Sequence, residues 1–147
     1  MTLRSRPTSF ELQPWPFAER PRVLIEHPDP DAGLELAGAL RGAGYAVAIC
    51  RGPEGTSRCP LHKLEPCVIV EGADVVVTVL GFEREEAREV LAGLRLRYPG
   101  TPLVVGATAA ESLELADDLS GCTVVPVDAE PARVVDAVLA ETKRGVA

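Results

Sequence analysis

At 147 residues the chain suits one domain able to bury a core without a disulfide or metal staple. Hydrophobic residues make up 46%, charged residues 25% and aromatics 4%, a globular composition carried by Val, Leu and Ala. The 22 acidic against 15 basic residues give a net charge of −7, which argues against nucleic-acid backbones as partners. No apolar run approaches the roughly 20 residues that span a bilayer, so no membrane segment is expected.

Residues 1–21 show no helical or strand period and form an arm ahead of a domain at 22–147. Pro7, Pro14 and Pro16 interrupt them and no apolar centre follows the arginines, so they are not a secretory signal. The expected location is the cytoplasm, where thiols stay reduced. Two readings of the arm stand: a disordered leader, or an arm whose Trp15 and Phe17 dock on the domain or on a second subunit.

From residue 22 strands and helices alternate. VLIEH (23–27) is a short apolar strand, and Asp29 or Asp31 can cap the helix over 32–44, with Leu36, Ala37 and Leu40 inward and Gly42 or Gly44 at its end. YAVAIC (45–50) is a second strand and ADVVVTVL (73–80) a third, apolar enough to be covered on both faces. FEREEAREVLAGLRLRYPG (82–100) predicts a helix with acidic residues first, arginines last, and Ala87, Leu91, Leu94 and Tyr98 inward. TPLVVGA (101–107) is a fourth strand, followed by a helix over 109–119 carrying Leu113, Leu115, Ala116 and Leu119. CTVVPV (122–127) is the fifth, with Cys122 as a core residue. Pro131 opens a last helix with Val134, Val135, Val138 and Leu139 inward.

This alternation predicts right-handed crossovers and a five-stranded parallel doubly wound sandwich of the flavodoxin-like type, in strand order 2-1-3-4-5. One helix is missing. Between the second and third strands stands CRGPEGTSRCPLHKLEPC (50–67), whose glycines and prolines oppose a long regular helix.

The pattern of residues 22–143 resembles a response-regulator receiver domain of the chemotaxis-regulator type. RVLIEHPDPDAGLELAGALRGAGYAV resembles its first strand, acidic turn, helix and second strand; TPLVVGAT and CTVVPVDAEPARVVDAVL resemble its last two strand–helix units. The resemblance implies phosphoryl transfer to an aspartate ending the third strand. A metal-binding acidic pair follows the first strand, a hydroxyl ends the fourth and a lysine the fifth. Here the acidic pair falls on His27 and Pro28, with Glu26 and Asp29 displaced. The acceptor position falls on Thr78 or Val79, the hydroxyl near Thr108, and the lysine near Val127. The expectation is therefore a pseudo-receiver that is not phosphorylated on aspartate.

Cys50, Cys59, His62 and Cys67 are spaced C-x8-C-x2-H-x4-C. Three readings remain open: three thiolates and an imidazole holding zinc or an iron–sulfur cluster, a redox-responsive Cys59–Cys67 disulfide, or buried thiols with His62 exposed. There is no P-loop, no dinucleotide glycine fingerprint and no nucleophile elbow. The leading expectation is a noncatalytic signalling module that contacts a protein partner or forms a homodimer through residues 124–143, under control of the cysteine segment's metal or redox state. The rival is a ligand binder or enzyme using a cleft at Glu26, His27, Thr78 and Thr108. A scaffold with no switch is the third.

Overall fold

Apolar strands buried on both faces need helices on both sides, and the chain supplies them in two layers. The computed structural model describes residue 15 and residues 20–52, 59–63 and 66–146, with the side chains of 62, 63 and 144–146 left aside. Five strands, β1 (Arg22–Glu26), β2 (Ala46–Cys50), β3 (Val75–Thr78), β4 (Leu103–Ala107) and β5 (Thr123–Pro126), form one sheet in the order β2-β1-β3-β4-β5. All neighbours run parallel. The expected order and architecture are those found.

Helix α1 (Pro30–Gly42) begins where Asp29 caps it, the Asp29 carboxylate accepting from the Asp31 N–H, and buries Leu36, Ala37 and Leu40. It packs one sheet face together with α5 (Pro131–Val146), whose Val134 and Val138 join Val23, Ile25, Val75, Val77 and Val104 in one core. The other face carries α3 (Glu85–Arg97), with Ala87, Val90, Leu91 and Leu94 buried over Leu24, Val76 and Val105.

The segment between β2 and β3 holds no long helix among its described residues. It forms a 3-10 turn at Pro60–Lys63 and a single turn, α2, at Val68–Glu71. Leu61 of the 3-10 turn is fully buried. Its carbonyl lies so near α3 that a Cβ on Gly93 would sit 2.6 Å from the oxygen, so glycine is what lets the turn approach. Trp15 joins the same core at 4% exposure. Of the two readings of the arm, docking on the domain is the one observed for Trp15; Phe10 and Phe17 lie outside the described residues.

Two helices differ from the sequence pattern. The predicted helix over 109–119 is only six residues long, α4 (Ala109–Glu114), giving way to turns around Asp117 and Asp118, which favour turns over helix interiors. Leu115 and Leu119 still reach the core from those turns, whereas Leu113 is 83% exposed and Ala116 is exposed too. On α5, Val134 and Val138 fill the buried stripe and Val135 is half-buried. Leu139, about 100° further round than Val138, is left exposed.

Candidate functional site at the carboxyl ends of the strands

Parallel register aligns the last residues of three strands. Glu26 pairs with Cys50 on one side and Thr78 on the other, so Cys50, Glu26 and Thr78 form a row across β2, β1 and β3. Their neighbours two residues back, Ala48, Leu24 and Val76, belong to the core under α3. By strand alternation the row therefore faces that layer, where the cysteine segment takes the place of a helix.

Glu26 is the unusual member. It is 2% exposed, accepts a hydrogen bond from Thr78, and leaves Oε1 without a partner. Burial pushes its carboxyl up to about 7, only partly opposed by the Thr78 hydroxyl. A carboxyl held this way keeps its proton in mildly acidic solution and is about half ionised at neutrality. The sequence places Glu26 at the end of RVLIE, in phase with Leu24. That phase was the available signal for its burial.

The cysteines gather around this row. Cys59 is buried, Cys50 and Cys67 half-buried, all against the same core. Burial pushes the Cys50 thiol up to about 12, with the nearby Glu26, Cys59 and Cys67 adding to the effect. The Gly52 N–H donates to Cys50 Sγ at 3.2 Å. Burial also raises Cys67, outweighing the backbone N–H groups of Val70 and Ile69 that favour its thiolate. Cys50 and Cys67 are thereby held as thiols, the form that neither ligates metals nor attacks disulfides. All four cysteines are free, and among the described residues no three His, Cys, Asp or Glu side chains converge as a metal site. His62 falls in the 3-10 turn, its side chain outside the described residues. Cys122 is half-buried against the core, its sulfur 3.2 Å from Arg95 Nη1.

The proposed cleft residues part company. His27 follows β1 with the opposite phase, and its Nδ1 accepts from the Asp29 N–H at 3.1 Å, placing the proton of the neutral ring on Nε2. Burial lowers its pKa, partly opposed by Asp29. His27 borders a cavity of about 180 Å³ on the α1–α5 side, with Glu35, Leu36, Val125, Asp128 and Val134. Thr108 caps α4 in a reciprocal box with Glu111, its hydroxyl accepting from the Glu111 N–H at 3.1 Å while the Glu111 carboxylate accepts from the Thr108 N–H at 3.0 Å. Only Glu26 and Thr78 touch.

β3 ends in Thr78, while Asp74 lies at its opposite end, accepting from the Arg22 N–H at 2.7 Å. β5 ends in Pro126, followed by Val127 and Asp128. The two lysines of the chain, Lys63 and Lys143, lie in the 3-10 turn and in α5.

No protein-family model matches the sequence, and no curated protein does. Solved structures do match. A Francisella response-regulator receiver domain superposes with a TM-score of 0.64 at 15% identity, covering 85% of this chain and 98% of that one. A response regulator from Thermotoga maritima gives 0.61 at 15% identity, over 84% and 98%. A CheY-like receiver domain protein from Methanospirillum hungatei gives 0.59 at 20% identity, over 86% and 96%. The fold is the receiver fold.

Proposed function

We propose that this receiver-fold chain is a noncatalytic signalling module that works by protein contact and does not take a phosphoryl group on aspartate. The observation that carries this reading is the pair at the end of β3. Where phosphoryl transfer would need an exposed carboxylate, Thr78 is 1% exposed and donates its hydroxyl to the buried Glu26. Incubation with acetyl phosphate and Mg²⁺, followed by intact mass, should leave the protein unmodified; a gain of one phosphoryl group would overturn the proposal.

The contact surface is β5 with α5, and the partner a second copy of the chain. Among the described residues, β5 is an edge strand paired only with β4. It exposes Val124, Val127 just after it is exposed too, and α5 adds Leu139, so apolar side chains border the strand's open edge. Light scattering should find a dimer that Val124→Asp with Leu139→Asp converts to a folded monomer. A wild-type monomer at high concentration would refute self-association. The cavity beside His27 favours a second reading, a small-ligand site, which a melting shift with nucleotides or metabolites would support.

The control element assigned to this module is the cysteine segment. Burial keeps Cys50 and Cys67 protonated, so metal or redox control requires the row at Cys50, Glu26 and Thr78 to hydrate first. A thiol count and elemental analysis on anaerobically purified protein test this: bound zinc or iron, lost in Cys59→Ser, supports it. Four free thiols and no metal argue for a plain interaction domain.

A further inference from the structure

We infer that the space left by the missing helix is a docking slot for a tryptophan side chain on a peptide segment, occupied here in cis by Trp15. Three observations build it. The indole is buried at 4% exposure, although it comes from the arm and not from any strand or helix of the domain. Its Nε1–H donates to the Ile69 carbonyl at 3.2 Å. In the single turn of α2, the Cys67, Val68 and Val70 carbonyls accept from Glu71, Gly72 and Ala73, and the indole takes the Ile69 carbonyl. The slot thus presents an acceptor that a tryptophan can satisfy and a phenylalanine cannot.

Gly72 supplies the shape. Its φ of −89° and ψ of −3° are open to any L-residue, so its backbone does not call for glycine. Space does: a Cβ there would lie 2.4 Å from Trp15 Cδ1 and 2.9 Å from Nε1. The ring therefore stacks on bare backbone, with the hydrogen bond fixing its orientation. This is a shaped site with a donor-specific end, filled by a tethered ligand. The tether makes Trp15 an autoinhibitory contact, because a partner segment carrying tryptophan must displace it. Such cis occupancy acts like millimolar competing ligand. The inference stands apart from the β5–α5 contact, since the slot lies on the α2–α3 side of the sheet.

The test uses the full chain as Trp15→Ala and, as probe, the peptide SFELQPWPFAER, which is residues 9–20. Calorimetry should show one-to-one binding to Trp15→Ala, at least about tenfold weaker binding to wild type, and a similar loss on adding Gly72→Ala. The same peptide with alanine for tryptophan should not bind. Equal binding with and without Gly72→Ala, equal binding of the alanine peptide, or no binding to a folded Trp15→Ala chain would each overturn the inference. Should Trp15→Ala not fold, Trp15→Phe replaces it, keeping ring bulk while removing the donor to Ile69. The peptide should bind that variant more tightly than wild type, because the tethered ring has lost its hydrogen bond; affinity no greater than for wild type overturns the inference equally.

Discussion

The buried carboxyl of Glu26 makes stability depend on pH in an unusual direction. Its folded value lies near 7 against an ordinary 4.5, so between those values the folded chain holds a proton that the unfolded chain releases. Stability from this group is therefore complete below pH 4.5 and is lost as pH rises through 7. The separation of 2.5, at about 1.4 kcal/mol per pH unit, amounts to about 3 kcal/mol, most of it lost between pH 5 and 8. That is a large share of the total for a domain of this size.

Glu26→Gln isolates the effect, because the amide keeps the shape and cannot ionise. His27 works the other way. Its lowered value gives stability that is present above its ordinary 6.5 and lost on acidification, but it is common to both proteins. Cys50, pushed up to about 12, titrates outside the window. Urea unfolding followed by far-UV circular dichroism at pH 5, 6, 7 and 8 should show wild type losing about 2.5 kcal/mol relative to Glu26→Gln as pH rises. A wild-type-minus-variant difference constant to about 0.5 kcal/mol would refute the reasoning, because it would mean that Glu26 is hydrated or paired.

Three further outcomes follow from the same geometry. Thr78→Val removes the hydroxyl that favours the ionised form, so the alkaline loss of stability should shift to higher pH in the same titration; a shift to lower pH would contradict the assignment. Gly93→Ala should cost about 1–3 kcal/mol in chemical unfolding, although alanine is the better helix former by about 1 kcal/mol, because its methyl meets the Leu61 carbonyl. A more stable Gly93→Ala would show that the 3-10 turn is not held against α3. Thr108→Ala should lose about 1 kcal/mol while Thr108→Ser loses little; equal losses would mean that capping is not what the hydroxyl does.

The strands and their order were legible because apolar runs of four to six residues alternate with helical stretches, leaving few topologies open. Helix starts were legible where a side chain states them, as Asp29 does for α1. What the sequence hid depends on distances along the third dimension. Glu26 lies 24 residues from Cys50 and 52 from Thr78 in the chain and meets them only through register, so the cysteines read as a linear motif and Glu26 with Thr78 as a separate open cleft, although they form one buried row. Leu113 and Leu139 read as core because periodicity counts residues and does not count how many stripe positions the sheet can cover. Trp15, an aromatic between two prolines, is compatible in sequence with a solvated leader or a docked arm, and the fold shows it covered by Gly72 and Ile69.

The same burial that raises Glu26 also bears on Mg²⁺. Mg²⁺ asks for near-octahedral oxygen ligands, keeps several waters, and is held by accessible carboxylates. Glu26 is enclosed under apolar side chains and still about half protonated at pH 7, while Asp29 holds the first turn of α1. Recruiting both would require breaking a cap and hydrating the core. Millimolar Mg²⁺ should therefore leave the melting temperature of the wild-type chain unchanged. A rise of several degrees, abolished by Glu26→Gln, would show that the row at the strand ends opens to solvent and that its carboxylate is available for metal-assisted chemistry after all.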